Sequence, residues 1–198
     1  MKKWLIFTAI ATMSILINVD FSSVSIALAS ISHYFNLSLA QVKWVQSSYY
    51  MIAAVSLVIF SHLGDKHGAK KIYMIGVLFF GLGATISGLC PHFSVLIIGR
   101  LIQGLGFGAT LGLGYIIIHQ SFPLQLRGLA LGISYTISGL SLAAGPIIAG
   151  ILVQHYSWRL VLLVNTPFCL FSLYMLWKYA TNYAPNKSKS LTLTSTLL

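Results

Sequence analysis

Long uncharged stretches are the most regular feature of this chain. Six of them, 16 to 31 residues long, separate the scattered charged residues. A helix that crosses a bilayer needs about 20 apolar residues, so most of these stretches are long enough to span. We therefore predict six membrane-spanning helices, at residues 4–31, 44–63, 73–90, 95–118, 129–153 and 159–179. The predicted fold is an all-α, polytopic membrane bundle, with a six-helix membrane domain at residues 1–179 and a polar tail at residues 180–198.

The composition requires an apolar environment. The 198 residues include 12 Lys or Arg and only two acids, Asp20 and Asp65, and charged residues make up 7% of the chain. Soluble domains carry about a quarter charged residues, while the mean hydropathy here is +0.87. This excludes a water-soluble enzyme, a secreted disulfide scaffold and a disordered chain.

The positions of the cations predict the orientation. With a cytoplasmic N-terminus, nine cations fall in cytoplasmic segments and two, Lys43 and Arg159, fall outside. This positive-inside asymmetry places both termini in the cytoplasm and accounts for the net charge of +10. Nucleic acid is not an expected partner, since its binding would gather the cations on one face. The four Trp residues all lie at predicted span ends, at the level of the lipid headgroups.

The N-terminus also resembles a secretory signal. Lys2 and Lys3 precede an apolar stretch, and residues 27–29 read Ala-Leu-Ala, like a cleavage site. The apolar stretch resumes beyond Asp20 and continues to Ile31, which is too long for a signal core. We therefore favour an uncleaved first span.

We predict no catalytic residue, no metal site and no cofactor. The six His and two Cys residues are scattered, without H-x-x-x-H or C-x-x-C spacing. Catalysis in a membrane commonly needs a nucleophile with a base, or a metal cluster. The sequence offers neither pattern, so an integral-membrane enzyme is disfavoured.

Asp20 and Arg100 are the two charged residues that fall in the interior of predicted spans, away from the span ends. An intramembrane charge is costly and by default indicates a functional site. Asp20 lies about 24 Å along a helix that starts at Trp4, and Arg100 lies about 8 Å from the opposite end of its span at Val95, at 1.5 Å per residue. The two charges are thus expected at similar depth, where each relieves the desolvation of the other.

Two interpretations of this pair stay open at the level of sequence. It is either a static ion pair that fixes the packing of the first and fourth spans, or a proton switch that couples the charge of Asp20 to the distance between two helices. Gln103 and Gly104 share the helix face of Arg100. They predict a polar, closely approached surface that faces substrate, and they favour the switch.

The short connection between the second and third spans is charged. Gly64 and Gly68 are expected to permit a tight turn, and Lys66 is placed to interact with the negative end of the second helix. Asp65, Lys66 and Lys70 suit either a plain anchor or a breakable latch on the cytoplasmic side.

Small residues mark the fourth and fifth spans. Gly104, Gly108 and Gly112 form a ladder of small residues at every fourth position, which predicts close helix packing. In the fifth span, Gly145, Pro146 and Gly150 predict a kink or a close contact, because Pro146 removes a helix hydrogen bond. Static packing and gating explain this segment equally well.

Six motifs in a fixed order resemble the major facilitator superfamily, specifically the N-terminal half of its fourteen-span drug:proton antiporters. They are Asp20 to Leu28, similar to D-x-T-x-V-N-V-A-L; Trp44, Val45 and Tyr49 at the second span; Leu63, Asp65, Lys66, Gly68 and Lys70 of the loop signature; Arg100, Gln103, Gly104 and Gly106 of R-x-x-q-G-x-g; Gly145, Pro146 and Gly150 of the antiporter pattern; and Trp158, Arg159, Asn165 and Pro167 at the sixth span.

The resemblance implies roles for these residues. Asp20 and Arg100 would take part in proton coupling, Gly64, Asp65, Lys66, Gly68 and Lys70 in a cytoplasmic gate, and Gly145, Pro146 and Gly150 in antiport-type helix bending. The implied partners are the lipid bilayer, a small-molecule substrate and protons, and the implied location is the bacterial inner membrane. Ser61, Ala69, Ser141 and Ala149 depart from the family patterns, the first, third and fourth by small-for-small changes.

Length separates this chain from the family pattern. Such transporters hold substrate between two six-helix halves, and the residues after 179 are polar and contain no seventh span. We therefore expect activity to need a second six-helix half, supplied by another chain or by a second copy. The alternative is a truncated or split product that does not transport and acts at most as an assembly partner.

Overall fold

The computed structural model describes residues 2–180 and consists of helices. The eight helices are α1 (Lys2–Phe35), α2 (Leu39–Val42), α3 (Trp44–His67), α4 (Ala69–Gly88), α5 (Phe93–Ser121), α6 (Leu124–His155), α7 (Trp158–Leu163) and α8 (Asn165–Tyr179). With α2 joined to α3 and α7 joined to α8, six segments of the described chain are long and apolar enough to cross a membrane. This confirms the predicted all-α membrane fold.

Most helices extend beyond the apolar stretches that predict them. α1, α5 and α6 each continue past both ends of the predicted span, because intrahelical hydrogen bonds satisfy the backbone whether or not the side chains are apolar. The predicted third span is displaced: α4 begins at Ala69 and ends at Gly88, so Leu89 and Cys90 lie beyond it. Of the predicted tail, residues 181–198 lie outside the described part of the chain.

The predicted turn between the second and third spans is much shorter than expected. α3 continues to His67 and α4 starts at Ala69, leaving Gly68 as the only residue between them. Gly68 has a φ of 96°, a conformation that is strained for residues with a side chain. The expectation that Gly64 also permits the turn is wrong, because Gly64 is helical, buried and packed against Leu113 of α5.

The helices pack in two groups. α5 packs along α3 and α4, which we call the α3–α4–α5 group, and α1 packs along α6 and α8, which we call the α1–α6–α8 group. The groups meet where α4 contacts α7 and α8, and along a thin contact between α1 and α5.

Glycine residues bring the helices of the first group to backbone contact. A β-carbon at Gly106 would lie 2.7 Å from the Cα atom of Phe80 on α4. The predicted ladder of Gly104, Gly108 and Gly112 faces α3, where Ser56 donates a hydrogen bond of 3.3 Å to the Gly104 carbonyl. The packing role predicted for the ladder is thereby confirmed.

Candidate functional site

The structure places Asp20 of α1 and Arg100 of α5 in direct contact at the interface of the two groups. Arg100 Nη1 lies 2.9 Å from Asp20 Oδ2 and 3.3 Å from Oδ1. The two residues are 1% and 0% exposed, and theirs is the only ion pair in residues 2–180. Arg100 lies in the third turn of α5 and Asp20 near the middle of α1. These positions along α5 and α1 bring the two side chains to the same level of the bundle, which their contact requires.

Two side-chain amides complete the coordination of the carboxylate. Gln103 Nε2 donates to Asp20 Oδ1 at 3.1 Å, and Asn165 Nδ2 donates to the same oxygen at 3.2 Å. Gln103 and Asn165 are 0% and 1% exposed. Asp20 thus receives hydrogen bonds from α5 and α8, which belong to different helix groups.

Arg100 is held by its own group as well as by Asp20. Its Nε donates to the Val45 carbonyl at 3.2 Å, and its Nη1 donates to Gln103 Oε1 at 2.7 Å. The Tyr49 ring lies against the guanidinium, with the Arg100 Cζ atom 4.0 Å from the ring centroid. Such cation–π contacts contribute about 2 kcal/mol or more when desolvated. Arg100 would therefore stay on the α3–α4–α5 group if Asp20 released it.

Three buried polar atoms of this cluster have no hydrogen-bond partner among the described residues. They are Arg100 Nη2, Tyr49 Oη and Asn165 Oδ1. Burying an unpaired polar group costs about 1–3 kcal/mol. The cluster therefore retains a donor on Arg100, a hydroxyl on Tyr49 that can donate or accept, and an acceptor on Asn165, which a rearrangement could engage.

The ion pair is electrically balanced but sensitive to the loss of either charge. In a water-poor interior, removing one partner leaves an uncompensated charge, which costs about 3–5 kcal/mol. Protonation of Asp20 has the same effect on Arg100 as removing the carboxylate charge. The site can therefore convert proton binding into a change in the attraction between α1 and α5.

The other predicted site residues divide into separate locations. Gly104 does not join the polar cluster, since a β-carbon there would lie 2.6 Å from the Tyr49 carbonyl oxygen of α3. The prediction that Gly104 forms a substrate-facing surface with Gln103 is wrong, because close packing on α3 covers it. Gln103 itself faces Asp20 and Arg100 rather than an open surface.

The predicted gate residues lie at the other end of the bundle. Gly64 contacts Leu113, which lies 13 residues beyond Arg100 on α5, or about 20 Å along the helix. Asp65 is exposed and forms no ion pair within the described residues. Lys70 donates a hydrogen bond to the Ala180 carbonyl at the end of α8.

The antiporter segment forms one continuous helix. Pro146 lies inside α6, which is unbroken from Leu124 to His155. Gly145 approaches α1 so closely that an added β-carbon would lie 3.0 Å from the Val19 carbonyl oxygen. The Ser23 hydroxyl of α1 donates a hydrogen bond of 2.9 Å to the Gly145 carbonyl. Gly150 faces open space.

Tyr49 and Asn165 also belong to the site, although their positions in the sequence do not predict it. Both entered only as parts of family motifs. A lone amide inside a predicted span is itself a signal, because polar residues in spans are expensive. For Tyr49 the periodicity gives no indication of its contact with a cation on another helix.

A second polar feature lies between α1, α5 and α6. A cavity of about 30 Å³ is lined by polar and aromatic side chains that include Ser14, Asn18, Thr110, Tyr115 and Ser138. This volume has room for about one or two water molecules. The cavity thus provides polar groups within the bundle in addition to those of the ion pair.

Comparisons with known proteins agree on one family. The family model described as Major Facilitator Superfamily matches residues 8–196. The chain is 34% identical over 169 residues to the Tetracenomycin C resistance and export protein of Streptomyces glaucescens, covering 84% of this chain and 31% of that protein. It is 27% identical over 174 residues to a riboflavin transporter of Clostridioides difficile, covering 88% of this chain and 38% of that protein.

Solved structures share the fold. The inward open conformation of the xylose transporter XylE from E. coli superposes with a TM-score of 0.77 at 16% identity, over 91% of this chain and 49% of that one. The POT family transporter PepTSo superposes with a TM-score of 0.74 at 13% identity, over 93% of this chain and 39% of that one. The chain spans about a third of the curated relatives named above.

Proposed function

The chain belongs to the Major Facilitator Superfamily, and we propose on that basis that it forms one half of a transporter that exports a small molecule in exchange for protons. The observation that carries the proposal is the buried contact between Asp20 and Arg100. An export role is supported by the relative whose name states resistance and export. The motif resemblance to drug:proton antiporters supports the same direction. Family membership favours transport over catalysis.

In the proposed mechanism, the proton shifts an equilibrium between two arrangements of the helix groups. With Asp20 ionised, the ion pair holds α1 against α5. With Asp20 protonated, the attraction is lost, while Arg100 keeps its contacts with Val45, Gln103 and Tyr49. A proton shifts such an equilibrium only if the two arrangements bind it with different affinity, and the distance between Asp20 and Arg100 supplies that difference.

We expect the substrate to meet a wall built by this half and a second wall built by another half. Transporters of this type place substrate between two halves near the midplane. The bundle has one six-helix set in residues 2–180. The second half would come from further sequence of the same polypeptide, from another chain or from a second copy.

The test of the function is exchange by the complete assembly in vesicles. Asp20→Asn keeps the size of the side chain and removes the charge, so we expect pH-driven transport of ethidium and riboflavin, used as probes, to be abolished while membrane insertion is unchanged. Thr166→Val is the matched control, because the Thr166 hydroxyl is hydrogen-bonded to the hydroxyl of Thr85 on α4 at 2.9 Å and forms no hydrogen bond with Asp20 within the described residues. Undiminished pH-driven transport by Asp20→Asn would rule the mechanism out.

The requirement for a second half has its own test. Vesicles that contain only the 198-residue chain are expected to show no exchange, and co-expression with a second six-helix half is expected to restore it. Exchange by the chain alone would show that two copies suffice. A chain that inserts but is inactive in every combination would favour the alternative of a fragment without transport.

A further inference from the structure

The contacts of Asp20 are all suited to its ionised form. Its three side-chain neighbours within hydrogen-bond distance, Arg100, Gln103 and Asn165, each present an N–H donor. A carboxylate accepts such bonds, but a protonated carboxyl also carries an O–H that needs an acceptor. Without an acceptor, the buried O–H would cost about 1–3 kcal/mol. The proton-bound state therefore needs a partner that the ionised state does not use.

Of those three neighbours, one has an acceptor oxygen that accepts no hydrogen bond from the described residues. A guanidinium has no acceptor, and Gln103 Oε1 already accepts from Arg100 Nη1 at 2.7 Å. Asn165 Oδ1 is buried and accepts no hydrogen bond from the described residues. The same amide donates to Asp20 through Nδ2 at 3.2 Å. Rotation of the amide by half a turn about Cβ–Cγ exchanges the two atoms.

We propose that Asn165 is a positioning residue for the proton step, which donates to ionised Asp20 and, after its amide turns, accepts from protonated Asp20. This inference rests on the proposed function and adds a residue to its site. In the step, a proton passes from hydronium to the Asp20 carboxylate: one O–H bond of hydronium breaks, one O–H bond forms at Asp20, and a water molecule is left. The contacts of Arg100 with Asp20 break, the O–H donates to Asn165 Oδ1, and the charge of the cluster changes from zero to +1.

The position of Asn165 in the chain connects this step to the sixth span. Asn165 is the first residue of α8, directly after the interruption at Val164 that separates α8 from α7. The Asn165 amide, whose orientation responds to the charge of Asp20 in this proposal, therefore lies at the junction of α7 and α8. Asp20 keeps a partner within its own α1–α6–α8 group when it separates from Arg100.

None of the other titratable groups near Asp20 forms a hydrogen bond with it within the described residues, and Tyr49, whose hydroxyl has no partner there, lies with its ring against Arg100. Tyr49 and Tyr50 on α3 and Cys169 on α8 interact electrostatically with Asp20. Tyr50 donates to the Phe21 carbonyl at 3.1 Å, and Cys169 contacts Met13. Within the described residues, α6 and α7 form no hydrogen bond or ion pair with Asp20.

Infrared difference spectroscopy on the full 198-residue chain in lipid nanodiscs can follow the step directly. The chain has only two acidic side chains, Asp20 and Asp65. The carbonyl band of protonated Asp20 is therefore identified as the one that disappears in Asp20→Asn and persists in Asp65→Asn. The band position reports how many hydrogen bonds the acid makes, because each hydrogen bond lowers the stretching frequency.

Asn165→Leu removes both amide atoms at similar volume. We expect the Asp20 acid band to move to higher wavenumber in this variant and to stay in place in Thr166→Val, which removes a different interhelical hydrogen bond one residue away. An unchanged band in Asn165→Leu would overturn the proposal. An equal shift in Thr166→Val would also overturn it, since the shift would then report general loosening.

A second variant keeps the test decisive if Asn165→Leu does not fold. Asn165→Asp preserves shape and places a second carboxyl beside Asp20, so the acid band at position 165 is expected to shift when Asp20→Asn is added. If the band of the acid at position 165 keeps the same wavenumber when Asp20→Asn is added, the proposal would be overturned. Failure of the proposed function itself looks different: wild type would then show no band that depends on Asp20 at any pH.

Discussion

α5 meets two neighbours in opposite ways. Against α4 it presents glycines, and the backbones touch: a β-carbon at Gly106 would lie 2.7 Å from the Phe80 Cα atom. Against α1 its contact is thin and includes the buried ion pair between Arg100 and Asp20.

The contact between α4 and α5, which we call the seam, is fixed, whereas the contact between α1 and α5, which we call the joint, can change. Backbone-to-backbone packing depends on shape, which neither pH nor a ligand alters. An ion pair depends on charge, and one proton neutralises the carboxylate, which is one of its two charges. The α3–α4–α5 group is therefore expected to move as a unit, and α1 is expected to be the element that it moves against.

The largest expected effect comes from leaving one charge of the joint unpaired. Arg100→Leu strands the Asp20 carboxylate in the bundle, and we expect a loss of about 3–5 kcal/mol in the free energy of unfolding. The measurement is unfolding of the purified chain in mixed micelles at neutral pH. Adding Asp20→Leu should recover much of the loss, because no isolated charge remains. Additive losses in the double variant would contradict a coupled pair.

A smaller loss is expected when a methyl group is forced into the seam. Gly106→Ala places a β-carbon against backbone atoms of α4, which cannot turn away as a side chain could, and overpacking costs about 1–3 kcal/mol. Gly132→Ala on α6 is the matched control, since nothing lies within 4 Å of its added β-carbon. The same unfolding assay should leave the control unchanged or more stable by about 0.5–1 kcal/mol, since alanine favours helix over glycine. Equal losses at both positions would refute the seam.

The smallest effect is expected at a neutral contact between the groups. Thr166→Val removes the hydrogen bond of 2.9 Å between Thr85 of α4 and Thr166 of α8. Interhelical hydrogen bonds in membranes contribute about 0.6 kcal/mol on average, so the change in unfolding free energy should be near that value and independent of pH. A loss as large as that of Arg100→Leu would mean that neutral contacts, and not the ion pair, hold the groups together.

The sequence predicted the number of spanning helices because each crossing needs an apolar stretch of known length. It also anticipated Asp20 and Arg100 at one level, since rise per residue converts chain position into depth. The sequence pattern does not predict which helix faces contact each other, because the depth of a residue does not fix the rotation of its helix about the helix axis. For this reason the sequence pattern predicts a polar surface at Gly104, whereas in the structure Gly104 packs on α3.

Local backbone detail does not follow from the hydropathy pattern. The interruption at Val164 lies three residues before Pro167, whose nitrogen cannot donate a helix hydrogen bond to the Leu163 carbonyl, and Gly68 alone separates α3 from α4. Neither changes the hydropathy pattern, so the pattern predicted a single sixth span and a longer turn. Asn165 belongs to the site because the fold places α8 beside Asp20, which the sequence pattern does not predict.

The most direct test of the central claim is the distance between α1 and α5 as the proton binds. Spin labels at the exposed positions Ile26 and Ile98, with Cys90 and Cys169 replaced, would report it in the complete assembly at high and low pH. We predict a longer distance at low pH, and in Asp20→Asn the longer distance at both pH values. A distance that does not respond to pH, or that still responds in Asp20→Asn, would contradict the account.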